Sequence, residues 1–373
     1  MKKKNSILII TFLALLINCS SKKESNSELV KGVWILESTT NNLYVDDTTS
    51  TYNNTAPIIY DFNIDNNVTI NYYGVKDTIV KLKWFFKSDS ILTIENLDFK
   101  IHQLKKNKLT LVGSNRTDTY WLNFKKPQKT DLKYTKDEIK NILLSDLWKN
   151  EDGDFEFFKN KSMIFRHKMN KTDSLDFLQN ENWGIAEYKN YFFLYNYSDY
   201  FLGKGSWEQI NQILSISPEQ FRLDHNNNTF FKSIFYRNQK NANIEIHGNW
   251  KSKNSKNKNY GKYYSKRQVE RGNTQLFEGE MFLKIDNDFI ELRIDTLNLG
   301  KYKFQIGKDK RTILLERKYE GEFTRGSFIS LADIINKNDT TLEVHFMDNQ
   351  FSTGLEKPYT IIVNKVQTFE KID

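Results

Sequence analysis

Cysteine and histidine are scarce in this chain, with one and five copies in 373 positions. The histidines, His102, His167, His225, His247 and His345, stand alone and lack any paired spacing such as His-Glu-x-x-His. Each therefore reads as a surface or strand-face residue rather than a metal ligand. No Gly-x-Ser-x-Gly turn, phosphate-cradling glycine loop or serine–lysine pair occurs, so the common hydrolase and phosphate-binding scaffolds are excluded. No apolar run reaches the ~18 residues needed to span a bilayer. Excess charge of one sign is also small, with Lys+Arg 55 against Asp+Glu 47 and a formal net charge of +8. The lysines lie among many asparagines, with few alanines and only 4 prolines, a composition of AT-rich coding rather than of a surface built for polyanions.

What the N-terminus does contain is informative. Lys2, Lys3 and Lys4 precede the apolar run Ile7 to Ile17, which ends at Asn18-Cys19-Ser20. A basic start followed by an apolar stretch of this length is an export signal. With a cysteine directly behind it, the segment 1–18 resembles a bacterial lipoprotein signal peptide, although Asn18 stands where Gly, Ala or Ser is usual. The resemblance implies that Cys19 is the lipid-attachment residue and the first residue of the mature chain, which removes the one thiol from catalysis. It implies a cell-envelope protein anchored to a membrane, with the outer membrane as the expected one and the face left open. Each buried methylene contributes about 0.8 kcal/mol, so two or three acyl chains anchor firmly where a single chain would not. Residues 19–27 contain no apolar side chain behind the cysteine and read as a flexible tether. Loss of Lys2, Lys3 and Lys4 with the leader lowers the formal charge to +5, and export itself argues against a nucleic-acid partner. The dense run Lys251 to Lys258 has no aromatics and reads as a solvated loop, with anionic lipid or polysaccharide as the alternative contact.

The body is predicted to be all-β. Aromatic residues make up 14% of the chain, in short runs of alternating polarity separated by Asn, Asp, Lys and Gly. A first unit, residues 28–126, opens at Gly32-Val33-Trp34. It continues through Phe62/Ile64, Val68/Ile70/Tyr72, Leu82/Trp84/Phe86, Leu92/Ile94, Phe99/Ile101, Leu109/Leu111 and Tyr120/Leu122/Phe124. About eight short strands joined mostly by tight turns suit an antiparallel meander that closes on itself.

A second unit, residues 127–240, follows Pro127. Thr135-Lys136-Asp137-Glu138 forms a capping box, and Ile139, Ile142 and Leu143 recur at helical spacing, so a short helix leads into Asp146-Leu147-Trp148. The Asn160-Lys161 turn, the Trp183 hairpin, the segment Ile210 to Leu223 and the segment Phe230 to Tyr236 then repeat the order of the first unit with different loop lengths. A duplicated β-domain is expected.

The leading Gly-x-Trp, the helical turn before it and the eight-strand meander resemble the lipocalin-like domains of lipoproteins from Bacteroidetes-type bacteria. The resemblance covers roughly residues 28–126 and, less cleanly, 132–239. It implies tandem barrels with ligand binding in a barrel mouth as a possibility. It also implies a late basic residue stacked on the tryptophan, for which Lys125 and Arg237 are the candidates. Asp146 departs from the pattern by replacing the motif's glycine.

Residues 241–373 read as a separate C-terminal β-domain, a sandwich or a diverged barrel. Gly248-Asn249-Trp250 is a candidate third opening, Phe277 to Ile285 a strand, and Leu331 to Ile335 a single helical turn. Glu151-Asp152-Gly153-Asp154 lacks the further ligands of a calcium loop and reads as a polar turn. Trp84 and Trp183 alternate with apolar residues and read as core rather than as sugar-stacking platforms. No catalytic residue, metal site or cofactor is assigned, and a carboxylate pair for glycoside hydrolysis has no visible scaffold. The expected role is noncovalent binding at the envelope, of an apolar or amphipathic small molecule or a glycan. The alternative is a structural or protein-partner-binding lipoprotein.

Overall fold

The computed structural model describes residues 25–41, 57–73, 77–114, 119–167, 177–197, 209–224, 234–238, 245–253, 260–263, 275–277, 279–318, 327–347, 349–352, 360–363 and 366–372. The chain divides into two compact units, Met1–Pro127 and Gln128–Asp373.

The first unit holds one closed barrel. Its strands are β1 (Gly32–Asn41), β2 (Ile58–Phe62), β3 (Asn67–Tyr72), β4 (Thr78–Ser88), β5 (Ile91–Ile94), β6 (Leu97–Lys105), β7 (Lys108–Ser114) and β8 (Thr119–Lys125). Each pairs antiparallel with the next and β8 returns to β1, the up-and-down closure that removes free edges. Alternate residues point inward, so Trp34, Phe62, Trp84, Leu92, Leu109 and Phe124 meet in one core.

The second unit repeats the plan. β9 (Leu147–Lys149), β10 (Gly153–Phe157), β11 (Ser162–His167), β12 (Phe177–Tyr188), β13 (Tyr191–Tyr197), β14 (Gln209–Ile216), β15 (Gln220–Leu223) and β16 (Ile234–Asn238) close through the β16–β9 pair. The turn between the second and third strands is held alike in the two barrels. Trp84 N–H bonds the Asn66 carbonyl, and Trp183 N–H bonds that of Lys161, with Asn66 and Lys161 both at positive φ. The helix Lys136–Ser145 has the expected capping box and buries Ile139 and Leu143 in the barrel core.

The last segment contains β17 (Gly248–Ser252), β18 (Tyr260–Tyr263), β19 (Gln275–Phe277), β20 (Met281–Ile285), β21 (Phe289–Ile294), β22 (Leu297–Ile306), β23 (Thr312–Lys318), β24 (Ser327–Lys337), β25 (Thr341–Met347), β26 (Asn349–Ser352), β27 (Thr360–Val363) and β28 (Val366–Ile372). Of the two architectures the sequence left open, it adopts the barrel, in the order β17-β20-β21-β22-β23-β24-β25-β28. The remaining strands leave the barrel as two excursions and pair with each other as β19-β18-β27-β26. Two local expectations are corrected here. The residues expected to form a helical turn at Leu331 to Ile335 lie within strand β24, where a bulge between Ile334 and Asn336 breaks the alternation and imitates a helical period. The expected single strand from Phe277 to Ile285 is two strands, β19 and β20, in different sheets.

Each barrel is plugged at one end by its leading tryptophan. Trp34 Nε1 donates to Val30 O at 2.6 Å, Trp148 Nε1 to Leu143 O at 3.0 Å and Trp250 Nε1 to Ile246 O at 2.9 Å. Gly32 and Gly248 enter these strands at φ of +102° and +132°, where a Cβ is strained. Asp146 enters extended at φ −141°, so the second copy needs no glycine. A cation completes the plug in the first and third barrels, with Lys126 Nζ 4.7 Å and Lys371 Nζ 5.8 Å from the ring centroids. The basic residue in the first barrel is thus Lys126 and not Lys125. One step along the strand turns Lys125 to the other face, where it pairs with Glu37 at 3.2 Å. Arg237 sits opposite Trp148 in the β16–β9 register and pairs with Asp146 at 2.9 Å.

Trp148→Ala is expected to lower the stability of the second unit by about 3–5 kcal/mol. Trp148→Phe should cost less, since it keeps most of the ring while leaving the Leu143 carbonyl without its donor. Urea unfolding of the intact chain, followed by tryptophan fluorescence and far-UV circular dichroism, checks both.

Candidate functional site

The barrel interiors are occupied by the protein itself. In the second barrel Phe155 stacks on Phe165 at 4.0 Å and Phe221 on Phe235 at 4.3 Å, with Trp148 and Trp183 set edge-on to their neighbours. In the first barrel Trp84 packs edge-on to Phe62, and Tyr60 to Phe124. Burial pushes the Tyr60 hydroxyl well above its ordinary pKa, so it stays neutral. Trp84 and Trp183 are core residues, as their alternation predicts.

The unusual chemistry lies outside the barrel walls, where the second and third barrels meet within the second unit. On β10 the residues Phe155 and Phe157 point inward, so Asp154 and Glu156 point out, yet every residue of that strand is buried. Arg166 faces out from β11 opposite Asp154 and is only 5% exposed. Its guanidinium grips Asp333 with two parallel bonds, Nη1 to Oδ2 at 2.8 Å and Nη2 to Oδ1 at 2.9 Å. Nη2 also reaches Asp309 Oδ2 at 2.9 Å and Thr312 Oγ1 at 2.8 Å.

Local sequence sets up these partners. Asp309 caps the β22–β23 turn, accepting from the backbone N–H groups of Arg311 and Thr312, each at 2.9 Å. Asp333 lies across the ladder from Thr312 and takes a further bond from Arg311 Nη2 at 2.9 Å. Burial works to raise the Asp309 carboxyl, but Arg166 and the bonds from Thr312 outweigh it and hold it below the usual range. Burial likewise opposes the charge on Arg166, and the two aspartates more than restore it.

Glu156 belongs to the same cluster. Both of its oxygens lie 2.8 Å from Lys308 N, and Lys308 Nζ is 3.6 Å away. The approach needs Gly307, where a Cβ would stand 2.8 Å from Glu156 Oε2 and 2.7 Å from Asp309 Oδ1. Arg166 and Arg311 already balance Asp309 and Asp333, so a further negative charge here has little compensation. Burial pushes the Glu156 carboxyl up to about 7, against the partial relief of the Lys308 N–H and ammonium.

Of the residues singled out from sequence, Asp154 lies opposite Arg166 and His345 opposite Asp333 in the β24–β25 register, and the others lie elsewhere. Cys19, together with the rest of 1–24, falls outside the described residues, as do His225 and the side chain of His167. His102 packs edge-on to Trp121 at 4.9 Å and His247 Nδ1 lies 3.1 Å from Asp286 O. Among the described residues no three His, Cys, Asp or Glu side chains converge as a metal site. Of the run expected as a polar turn, Glu151 and Asp152 form the β9–β10 turn, tied by Asn150 Oδ1 accepting from Asp152 N at 2.9 Å and Gly153 N at 3.1 Å, whereas Gly153 and Asp154 already belong to strand β10. Lys251 and Lys253 pair with Glu280 and Glu370, while 254–259 lie outside the described residues. The residues of the junction carried no motif. Asp-Phe-Glu-Phe reads as a strand with one wet face, and only a third barrel set against that face makes it dry.

Two outcomes are expected. Between the ordinary glutamate value of 4.5 and about 7, the folded protein keeps a proton on Glu156 that the unfolded chain releases. Raising the pH through that window therefore removes stability, by up to ~3 kcal/mol if the full shift is realised. Glu156→Gln should flatten that slope and be more stable than the native chain at pH 8, as urea midpoints taken from pH 5 to 8 would reveal. Arg166→Met leaves Asp309 and Asp333 buried with Arg311 as their remaining cation and should cost about 3–5 kcal/mol. Replacing Asp333 by Asn in the same chain should recover part of that loss in the same assay.

No protein-family model matches the chain, and no curated protein matches it. Among solved structures, a double mutant of transferrin-binding protein B from Haemophilus parasuis is 8% identical, with 91% of this chain and 74% of that one covered and a TM-score of 0.20. An intact Ap-TbpB with N and C lobes is 10% identical over 91% and 75%, at a TM-score of 0.19. The isotype 1 transferrin-binding protein B of serogroup B Neisseria meningitidis is 8% identical over 88% and 66%, at 0.18. Superpositions this loose leave the site to be read from this chain's own residues.

Proposed function

We propose that this is a lipid-anchored envelope protein that binds a partner protein through the outer surfaces of its barrels. The observation that carries the reading is the filling of all three barrels by their own side chains, around Trp34 and Trp84, Trp148 and Trp183, and Trp250. Ligand sites of small molecules are concave and hold their guest inside, and such packed interiors leave no room for one. The expectation of an apolar ligand in a barrel mouth is therefore set aside in favour of the partner-binding alternative. The Arg166 junction supports this reading, because fixing two barrels together presents a composite surface without an entropic cost of docking them on binding. Lys2 to Lys4, the run Ile7 to Ile17 and Cys19 support the anchor. Among the described residues no helix is long and apolar enough to cross a membrane.

Mass spectrometry of the protein from its native membrane should find an acylated Cys19 as the first residue, and Cys19→Ser should move the protein to the soluble fraction. Crosslinking in the same cells is expected to give a discrete protein adduct, and native mass spectrometry to give no apolar small-molecule adduct. A chain still beginning at Met1, monomer as the sole crosslinked species, or a co-purified apolar ligand each overturns the reading.

A further inference from the structure

The β10–β11 turn and the outer wall of the third barrel enclose a cleft of about 440 Å³. This lies within the range of small-ligand sites, roughly 300–1,000 Å³. One wall is Asn160 of the turn and the other is the face of β21, β22 and β23. Registers align the wall in two rows: Phe289, Lys303 and Glu316 in one, Gln305 and Leu314 in the next. Their neighbours Ile290, Ile313 and Leu315 point the other way into the barrel core, so these rows face outward.

The chemistry of the wall narrows the guest. Among the described residues, the side chains of Lys303, Gln305 and Glu316 hold no hydrogen-bond or ion-pair partner. Asn160 Oδ1 accepts from Ser162 N at 3.1 Å, which fixes its amide and leaves Nδ2 to donate. An apolar guest would strand these groups without water, at about 1–3 kcal/mol for each one buried. An anion meets Glu316 and Asp288 against Lys303. An extended peptide has no backbone to pair with, because β22 is already bonded on both sides by β21 and β23. A neutral polyol matches this mixed wall as a whole. Hydroxyls that both donate and accept match amides, a carboxylate and an ammonium, and the C–H face of a sugar ring matches Leu314 and Phe289.

We propose that this cleft binds a short neutral saccharide, with Gln305, Glu316, Lys303 and Asn160 as hydroxyl partners and Phe289 and Leu314 as the apolar floor. The barrels on its two sides are locked by the Arg166 network, so the site is organised before its guest arrives. The proposal is independent of the partner-protein reading, and either can fail alone.

Saturation-transfer NMR on the chain from Ser20 onward, with cellotriose, maltotriose, chitotriose and mannotriose as probes at millimolar concentration, tests it. At least one trisaccharide should show transfer to its ring C–H protons. Gln305→Ala with Glu316→Ala, both on the outer face of the barrel, should weaken that binding about tenfold or more, the scale of one lost hydrogen bond to a charged group. Phe289→Tyr should retain it, and the unchanged melting curve of each variant confirms folding. Silence from all four probes, or transfer that survives the double substitution, overturns the proposal.

Discussion

An indole hydrogen-bonded to a carbonyl four or five residues upstream organises each barrel in this chain. Trp34, Trp148 and Trp250 join two requirements in one side chain. Their rings are buried in the core of a closed sheet, and their N–H groups tie the incoming segment to it. With the indole in place, inward alternation alone fills the remainder, and aromatic pairs such as Phe155 with Phe165 take up the volume that smaller residues would leave open. The glycine of the motif is secondary to this. It is present where the entry is left-handed, at Gly32 and Gly248, and absent where Asp146 enters extended and spends its carboxylate on Arg237.

The second and third barrels add a different kind of constraint. Apolar contact holds surfaces together without fixing their angle, whereas the two parallel bonds from Arg166 to Asp333 and its bond to Asp309 are directional. The charges of Arg166, Arg311, Asp309 and Asp333 cancel, and burial lifts the Glu156 carboxyl to about 7 because the Lys308 N–H and ammonium relieve it only in part. The first barrel carries Asp61 and Asn71 at the positions of Glu156 and Arg166, an acid and an amide in place of an acid and a cation. The outer face is thus polar in both barrels, and in the second it carries the Arg166 ion pairs.

Much of the fold was legible because strand alternation survives in a single sequence. The meander of the first barrel, the capped helix at Lys136–Ser145 and the hairpin-by-hairpin match of the second barrel follow from period-two patterns and turn residues. Reading failed where a single residue shifts the face. Lys125 lies one position before Lys126, which covers the ring, and the bulge near Ile334 gives a strand the spacing of a helical turn. The third barrel was hidden by its two excursions, which separate β17 from β20 and β25 from β28 and break the repeat spacing. The junction and the cleft were illegible for a deeper reason. Glu156, Arg166 and Asp309 have ordinary strand and turn contexts, and their burial arises only when a neighbouring barrel covers them.

The excursions also bear on how the last barrel comes into being. β17 finds one neighbour in β20 but the other only in β28, with Asn249 opposite Ile372, so the ring is sealed by a strand that follows all the others. Pairings across so long a stretch of chain form slowly, since the intervening loop must first be confined. Until then β17 and β25 each offer an unsatisfied edge. A newly made chain would pass through that open form and need shielding from its neighbours until the final strand arrives.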